Sequence, residues 1–146
     1  MPASIGWLFV VCAGIHVAEE YCFGWMAWVN RFRYRITRPQ FLTFNALFIL
    51  LCGLGLVADS VTFTLSLASL FLLNLLVHLV PTLIFRKYSP GLVSALVLYL
   101  PLACTTFTYA IRNGLASPRQ LIESIALGAL WLGVPMLYQM ARGRRR

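Results

Sequence analysis

Long apolar runs separated by short polar turns fill most of this chain. A helix needs about 20 apolar residues to cross a hydrocarbon layer of about 30 Å. Five runs are close to that length, and they cover about 5–29, 40–58, 62–85, 91–111 and 120–141. The pattern therefore predicts an all-α integral membrane protein, with one transmembrane domain over residues 1–146 that is built as a five-helix bundle.

Two of these runs fit the transmembrane pattern less well than the others. The run 40–58 has only about 19 residues between Pro39 and Asp59, and the run 120–141 contains two glycines and Pro135. Glycine and proline weaken a helix interior, although membrane helices tolerate them better than soluble ones. A four-span arrangement in which one of these two runs is re-entrant therefore stays open.

The basic residues predict how the bundle is oriented, because Lys and Arg are retained at the cytoplasmic ends of membrane spans. Ten of the 12 basic residues follow the first, third and fifth runs, namely Arg31, Arg33, Arg35, Arg38, Arg86, Lys87, Arg142, Arg144, Arg145 and Arg146. The remaining two, Arg112 and Arg119, lie between the fourth and fifth runs. We therefore expect the N-terminus outside and the C-terminus in the cytoplasm of a bacterial-type inner membrane or its equivalent.

Composition excludes an ordinary soluble domain and narrows the choice of partners. The chain is 60% hydrophobic and 11% charged, with a formal net charge of +8. Because the positive charges cluster at the predicted membrane edges, they favour anionic lipid head groups over nucleic acid as partners. The four cysteines lie inside the predicted spans without C-x-x-C spacing, so we expect them to be packing residues.

The segment I-H-V-A-E-E-Y places His16, Glu19 and Glu20 inside the first apolar run. An ionisable side chain at the centre of a membrane helix costs about 2.5 to 3.5 kcal/mol on insertion scales, so this cluster needs compensating partners or protons. At about 100° per residue, Glu19 lies about 60° to one side of His16, and Glu20 lies about 40° to the other side. The three side chains therefore share one helix face and predict a single site.

Further polar residues in other runs are expected at the same depth. Asn74 and His78 are four residues apart in the third run and share a helix face. Chain direction and a rise of about 1.5 Å per residue place Asn45 at the level of His78, Glu19 and Glu20. An isolated packing hydrogen bond is the simpler alternative for either asparagine. The predicted catalytic set consists of His16, Glu19, Glu20, Asn45, Asn74 and His78.

Two kinds of chemistry could stabilise this cluster. In the first, a divalent metal such as zinc or iron is held by ligands drawn from His16, Glu19, Glu20 and His78. In the second, the adjacent carboxylates share protons and a histidine relays them, which suits isomerisation, cyclisation or hydration of an apolar substrate. The spacing matches neither H-E-x-x-H nor the E-x-x-H of di-iron bundles, so the cofactor stays unknown.

Substrate class is suggested by the residues that follow the third run. Arg86, Lys87 and Tyr88 are predicted to bind the polar head of a lipid or isoprenoid-like substrate, although anchoring at the cytoplasmic face is a simpler role. The leading hypothesis is an intramembrane enzyme acting on that substrate. The alternative is a proton-coupled small transporter or lipid-binding protein, for which a homo-oligomer could supply a second half. A scaffold role would leave the buried cluster unexplained.

The H-x-x-E-E segment, the N-x-x-x-H helix and the R-K-Y-S-P-G turn together resemble the HXXEE-motif family of small membrane proteins. His16, Glu19 and Glu20 match the motif that names the family. Further family positions are assigned to Asn74, His78, Arg86, Ser89, Pro90 and Gly91. The family is defined by its motif and not by a reaction, so the resemblance implies a site without naming a substrate.

Overall fold

The computed structural model describes residues 3–32 and 35–143 of the chain. These residues form six helices and no strand, which confirms the all-α prediction. The helices are α1 (Ala3–Cys22), α2 (Trp25–Val29), α3 (Arg38–Leu54), α4 (Val61–Phe85), α5 (Leu92–Arg112) and α6 (Pro118–Gly143). Four of the arginines used to predict orientation, Arg33 and Arg144 to Arg146, lie outside the described residues.

Four of the six helices, α1, α4, α5 and α6, are long and apolar enough to cross a membrane. The apolar helix α3 has only 17 residues. At about 1.5 Å per residue it extends about 26 Å, which is less than the usual hydrocarbon thickness. The prediction of five spans is therefore corrected to four candidate spans and one shorter apolar helix within the described part of the chain. The orientation of the termini stays a prediction.

The first apolar run is divided into two helices, which is why the helix count rises from five to six. Gly24 has φ 78° and ψ 40°, a left-handed conformation that glycine adopts without the Cβ clash of other residues. Helix α1 therefore ends at Cys22, and α2 begins at Trp25. The break redirects the chain just after the H-x-x-E-E turn and brings the Trp25 ring to 5.8 Å from the ring of Phe41 in α3.

The starts of α3 and α4 are defined by local capping. Thr37 and Gln40 form a reciprocal capping box at the start of α3, and Pro39 occupies its first turn as expected for a residue without a backbone N–H. At the start of α4, the Ser60 hydroxyl oxygen accepts a hydrogen bond from the backbone N–H of Phe63 at 3.3 Å. These side chains satisfy amide groups that a helix leaves unpaired at its N-terminus.

Helix α4 is the centre of the bundle, with α6 packed along one side and α5 on another, while α1 packs against α3 and α5. The backbones of α4 and α6 approach closely at Gly128, where a Cβ atom would lie 2.5 Å from Ser69 Cβ and 2.8 Å from Leu70 N. The indole N–H of Trp131 also donates to Ser66 Oγ at 3.3 Å. Small residues allow such close approach between membrane helices.

An aromatic core joins α1, α4 and α5 near the candidate site. The rings of Phe71 and Tyr99 stack with centroids 3.7 Å apart, and Phe9 meets Phe71 edge-on at 4.9 Å. Tyr99 ends a π-helical stretch, Ala95–Tyr99, shortly before Pro101. Because Pro101 has no backbone N–H, the regular α-helical bonding of this turn cannot continue, and a wider turn accommodates it.

Candidate functional site

Three buried side chains from two helices meet at the centre of the candidate site. His16 and Glu20 lie one turn apart on α1, and His78 comes from α4. One oxygen of Glu20, Oε1, is 3.3 Å from His78 Nε2 and 3.7 Å from His16 Nε2. Only 1% of His16, 5% of Glu20 and 0% of His78 is exposed, so water has little access to them. We call these three residues the His–Glu–His cluster.

A serine hydroxyl orients each imidazole of the cluster through its second ring nitrogen. His16 Nδ1 lies 2.9 Å from Ser94 Oγ, and His78 Nδ1 lies 3.1 Å from Ser89 Oγ. The Ser94 hydroxyl donates its only hydrogen to the carbonyl oxygen of Gly91 at 3.2 Å, so it accepts the Nδ1–H of His16. This assignment leaves the lone pair of His16 on Nε2, the nitrogen that faces the carboxylate of the cluster.

Gly91 covers the cluster so closely that no other residue fits there. A Cβ atom at this position would lie 2.7 Å from His78 Cε1, 2.9 Å from His16 Cε1 and 3.1 Å from Glu20 Cγ. Gly91 also has φ 99°, a conformation that side-chain-bearing residues rarely adopt. The S-P-G turn therefore forms a wall of the site as well as connecting two helices.

The ring of Tyr99 forms another wall of the cluster. Its centroid lies 4.6 Å from that of His16, while the rings of His16 and His78 meet edge-on at 5.1 Å. The Tyr99 hydroxyl is buried without a hydrogen-bond partner among the described residues. Buried polar atoms are normally paired, so this hydroxyl is a further unsatisfied group beside the cluster.

Glu19, although adjacent to Glu20, belongs to a different set of contacts. Its carboxylate accepts hydrogen bonds from the backbone N–H groups of Gly91 at 3.1 Å, Val93 at 3.2 Å and Ser94 at 2.7 Å. The hydroxyl of Tyr88 donates to the same carboxylate. Because a helix start carries unpaired N–H groups and a partial positive charge, Glu19 caps α5 from the neighbouring helix. We call this arrangement the Glu19 cap.

The three residues predicted to bind a polar head group, Arg86, Lys87 and Tyr88, have different surroundings. Tyr88 is engaged in the Glu19 cap, where partial burial and then the hydrogen bond and negative charge of Glu19 raise the pKa of Tyr88 to about 12. Tyr88 therefore keeps its proton and remains a donor at neutral pH. Lys87 lines a small cavity, whereas Arg86 is exposed and closes α4 with φ 51°.

A cavity of about 810 Å³ opens beside the cluster between the α2 region, α3, α4 and α6. Most of its lining is aromatic or aliphatic. Apart from indole rings, the polar side chains that line it are Glu20, Asn45, Asn74, His78 and Gln139. The structure thus brings four residues of the predicted catalytic set to one cavity, while His16 lies in the adjoining cluster and Glu19 faces α5.

The two asparagines in this cavity differ in how well their polar atoms are satisfied. The side-chain nitrogen of Asn45 donates to the carbonyl oxygen of Phe41 at 3.0 Å, within its own helix. The side-chain oxygen of Asn74 is buried and has no partner in the described part of the chain. Asn74 therefore offers an unused hydrogen-bond acceptor to a ligand in the cavity.

A smaller cavity of about 240 Å³ shares part of the wall of the larger one. Trp28, Phe32 and Phe85 line both cavities. The smaller cavity is also lined by Arg31 and Lys87. An apolar space and two cationic side chains are thus adjacent at this end of the bundle.

Sequence reasoning missed Ser94, and it did not predict that Tyr99 contacts His16. A small polar residue three positions after Gly91, at the start of an apolar span, is the signal that could have identified Ser94. The contact of Tyr99 with His16 depends on the π-helical turn of α5 and has no comparable signal in the sequence.

One known protein family matches the part of the chain that contains these residues. The sequence profile described as "Protein of unknown function with HXXEE motif" matches residues 7–106. This match covers about two thirds of the chain and includes the whole His–Glu–His cluster and the Glu19 cap. No curated protein and no solved structure matches the chain. The chain therefore belongs to the HXXEE-motif family, for which no function is established.

Proposed function

We propose that this protein is an intramembrane enzyme that acts on a lipid or isoprenoid-like substrate. The observation that carries the proposal is the position of Glu20 and His78, which face each other at 3.3 Å and line an apolar cavity. Ionisable residues inside membrane spans are costly and commonly mark functional sites. Helix packing alone does not require a buried carboxylate between two imidazoles.

The shape of the two cavities supports an amphiphilic substrate. The larger cavity, about 810 Å³, is in the usual range for small-molecule sites and is lined mainly by aromatic and aliphatic groups. The adjoining smaller cavity presents Arg31 and Lys87, which suit a phosphate or carboxylate head group. A substrate with its hydrocarbon tail in the larger cavity and its anionic head group in the smaller one would occupy both cavities. The positive-inside rule would place that head at the cytoplasmic leaflet.

The reactive groups suit proton transfer to and from the substrate. Addition of one proton at one carbon and removal of one proton from another leaves the composition unchanged, which gives isomerisation or cyclisation of an alkene. Hydration by the same groups adds one water molecule. Glu20 and His78 can act as the acid and base, and Asn74 can accept a hydrogen bond from the substrate. The same carboxylate and imidazole groups also suit metal-assisted chemistry on this substrate class.

The proposal is tested by lipid analysis of the full-length chain and one isosteric variant. Wild-type protein and Glu20→Gln are purified, placed in lipid nanodiscs and incubated with a total lipid extract. The lipids are then separated by chromatography before mass spectrometry, because an isomerised or cyclised product has the same mass as its substrate. We expect the wild type to produce a lipid that Glu20→Gln does not produce. The matched control is Glu123→Gln, because Glu123 forms an exposed ion pair with Arg119 near the start of α6 and lies outside the site.

The same assay separates the enzyme from the alternatives. If Glu20→Gln and His78→Ala both form the product at the wild-type rate, the proposed roles of these residues are wrong. Substrate flux into proteoliposomes without any altered lipid would instead support a proton-coupled transporter.

A further inference from the structure

We propose that the His–Glu–His cluster binds one divalent transition-metal ion, with zinc the preferred metal. The ligands are His16 Nε2, the Glu20 carboxylate and His78 Nε2. This inference deepens the proposed function, because it identifies what occupies the reactive end of the cavity. Its test is a measurement of metal content, which is independent of product formation.

The first argument is the unsatisfied state of the imidazole nitrogens. The Nε2 atoms of His16 and His78 are both buried, and within the described residues neither has a partner other than the Glu20 carboxylate, at 3.7 Å and 3.3 Å. The contact with Ser94 places the lone pair of His16 on Nε2, which faces the carboxylate. Two acceptors that face each other in a dry site repel, and leaving a buried polar group unpaired costs about 1–3 kcal/mol. A cation between them removes this penalty.

A shared proton satisfies the cluster only with one particular arrangement of hydrogens. One proton on Glu20 can be donated to one Nε2 atom, and the other imidazole must then carry its own hydrogen on Nε2 and donate it to the carboxylate. A metal ion, in contrast, accepts a lone pair from each of the three residues at once. The ligand atoms that the three residues offer all lie within 4.8 Å of one another. A metal therefore satisfies all three residues with the lone pairs of both imidazoles on Nε2, the arrangement that the Ser94 contact gives for His16.

Two of the three ligand-pair distances in the cluster are close to those of tetrahedral coordination. With metal–ligand bonds of about 2.0–2.1 Å, ligand atoms around a tetrahedral zinc are about 3.3 Å apart. The oxygen of Glu20 is 3.3 Å from the nitrogen of His78 and 3.7 Å from that of His16. All three ligand atoms lie within 4.8 Å of one another, so rotation of the side chains toward a common centre would bring them to one ion. Two imidazoles and one carboxylate also form a recognised donor set of catalytic zinc and non-haem iron sites.

The surroundings of the cluster are those expected around a metal site. Ligating histidines normally donate their other N–H group to an oxygen, which fixes ring orientation. Ser94 accepts this hydrogen bond from His16, and Ser89 Oγ occupies the equivalent position beside His78. Three protein ligands leave one coordination position for water or substrate. Because Glu20 and His78 line the large cavity, that position is expected to face the substrate.

The experiment measures metal content in the full-length protein purified with an affinity tag that contains no histidine. Elemental analysis by mass spectrometry should find about one zinc ion per wild-type chain, as for a structured zinc site. Glu20→Gln and His78→Gln should each lower this content at least about tenfold, because each removes one of three ligands. Glu123→Gln is the matched control and should retain the wild-type content.

A second measurement keeps the proposal testable if a variant fails to fold. Wild-type protein is stripped with a chelator and titrated with Co²⁺, whose visible absorption reports tetrahedral coordination. We expect a saturable spectrum that Zn²⁺ abolishes and Mg²⁺ does not. Wild-type protein that binds neither Zn²⁺ nor Co²⁺ would overturn the proposal, and so would folded His16→Ala protein with full metal content.

These outcomes are distinct from failure of the proposed enzyme. A lipid product formed by wild-type protein that binds neither Zn²⁺ nor Co²⁺ would overturn the metal site and support proton transfer. Bound metal without any lipid product would support the metal site and contradict the enzyme.

Discussion

The carboxylates of Glu19 and Glu20 leave the same turn of α1 and enter two different environments. Glu19 receives hydrogen bonds from three backbone N–H groups and the hydroxyl of Tyr88, so its negative charge is well satisfied. Glu20 faces two buried imidazole nitrogens, neither of which has another polar partner in the described chain. The first carboxylate caps α5. We propose that the second binds a metal ion or takes part in the reaction.

The two environments are joined by the first turn of α5. Gly91 and Ser94 donate their backbone N–H groups to Glu19. The same two residues also form part of the cluster, because Gly91 covers it and the Ser94 hydroxyl holds His16. The Glu19 cap therefore positions one wall of the His–Glu–His cluster. This coupling gives a physical reason for two adjacent glutamates with separate roles.

The largest expected effect is that of Gly91→Ala, which disrupts both environments at once. The new Cβ atom would meet His78 Cε1 at 2.7 Å and His16 Cε1 at 2.9 Å, at a backbone φ of 99°. A left-handed conformation costs a non-glycine residue about 1–2 kcal/mol, and overpacking adds about 1–3 kcal/mol. We expect a loss of about 3 kcal/mol in the free energy of unfolding, measured by denaturation in detergent.

The matched control for this change is Gly114→Ala. Gly114 also has a positive φ, 62°, but a Cβ atom there would have no neighbour within 4 Å among the described residues. It should incur only the backbone penalty of about 1–2 kcal/mol. Equal destabilisation by the two substitutions would show that close packing of Gly91 on the cluster contributes nothing.

The second prediction separates the adjacent glutamates by Glu19→Gln. The neutral amide weakens the hydrogen bonds to the start of α5 and removes the charge that favours the helix dipole, so we expect a loss of about 2 kcal/mol in unfolding free energy. Zinc content at saturating zinc should stay at about one ion per chain. Glu20→Gln should show the reverse pattern, with lost zinc and, when both proteins are compared without zinc, a smaller change in stability. Loss of zinc in folded Glu19→Gln would contradict the division of roles.

The sequence predicted much of the fold because helix length and hydropathy are local properties. The apolar runs correspond to helices, but the break at Gly24 was missed, since one glycine in an apolar run does not by itself end a helix. The span predicted over 40–58 was too long because α3 ends at Leu54 and residues 55–57 form a turn. Such an end depends on tertiary contacts, including the close approach of Gly55 to Leu67.

The sequence also indicated which polar residues lie near one another. It did not indicate that Glu19 and Glu20 make separate sets of contacts. Depth along the helices predicted that Glu19, Glu20, Asn45 and His78 lie at one level. Of these four residues, Glu20, Asn45 and His78 line one cavity. The different role of Glu19 could not be predicted, because it lies as close to His16 on the helical wheel as Glu20 does, to within about 20°. Its partners are mainly backbone N–H groups of α5, and backbone donors have no residue-specific signature.

The third prediction tests the link between the two environments through Ser94→Ala. This change removes the acceptor for His16 Nδ1 but keeps the backbone N–H that binds Glu19. Loss of a hydrogen-bond partner of a metal-binding histidine typically weakens metal binding about 10- to 100-fold. We therefore expect about a tenfold lower zinc affinity in a competition titration. Ser94→Thr retains a hydroxyl and should restore most of the affinity.

The matched control for Ser94→Ala is Ser124→Ala. Ser124 is also buried, but its hydroxyl donates to the carbonyl oxygen of Leu121 within α6. Zinc affinity should not change in this variant. An unchanged affinity in Ser94→Ala as well would show that the serine does not orient the imidazole.

The smallest effect is expected for Tyr88→Phe, which removes one donor from the Glu19 cap and leaves its three backbone donors. A single partly exposed hydrogen bond of this kind contributes about 1 kcal/mol or less to unfolding free energy. Because the folded pKa of Tyr88 is raised to about 12, the contribution of its neutral form is present at pH 7 to 9 and declines as pH rises toward 12. Unfolding of both proteins across this range checks the prediction, with Tyr109→Phe as the control. If Tyr88→Phe is as destabilising as Glu19→Gln, the tyrosine hydroxyl and not the start of α5 is the main partner of Glu19, and the contrast between the two glutamates loses its structural basis.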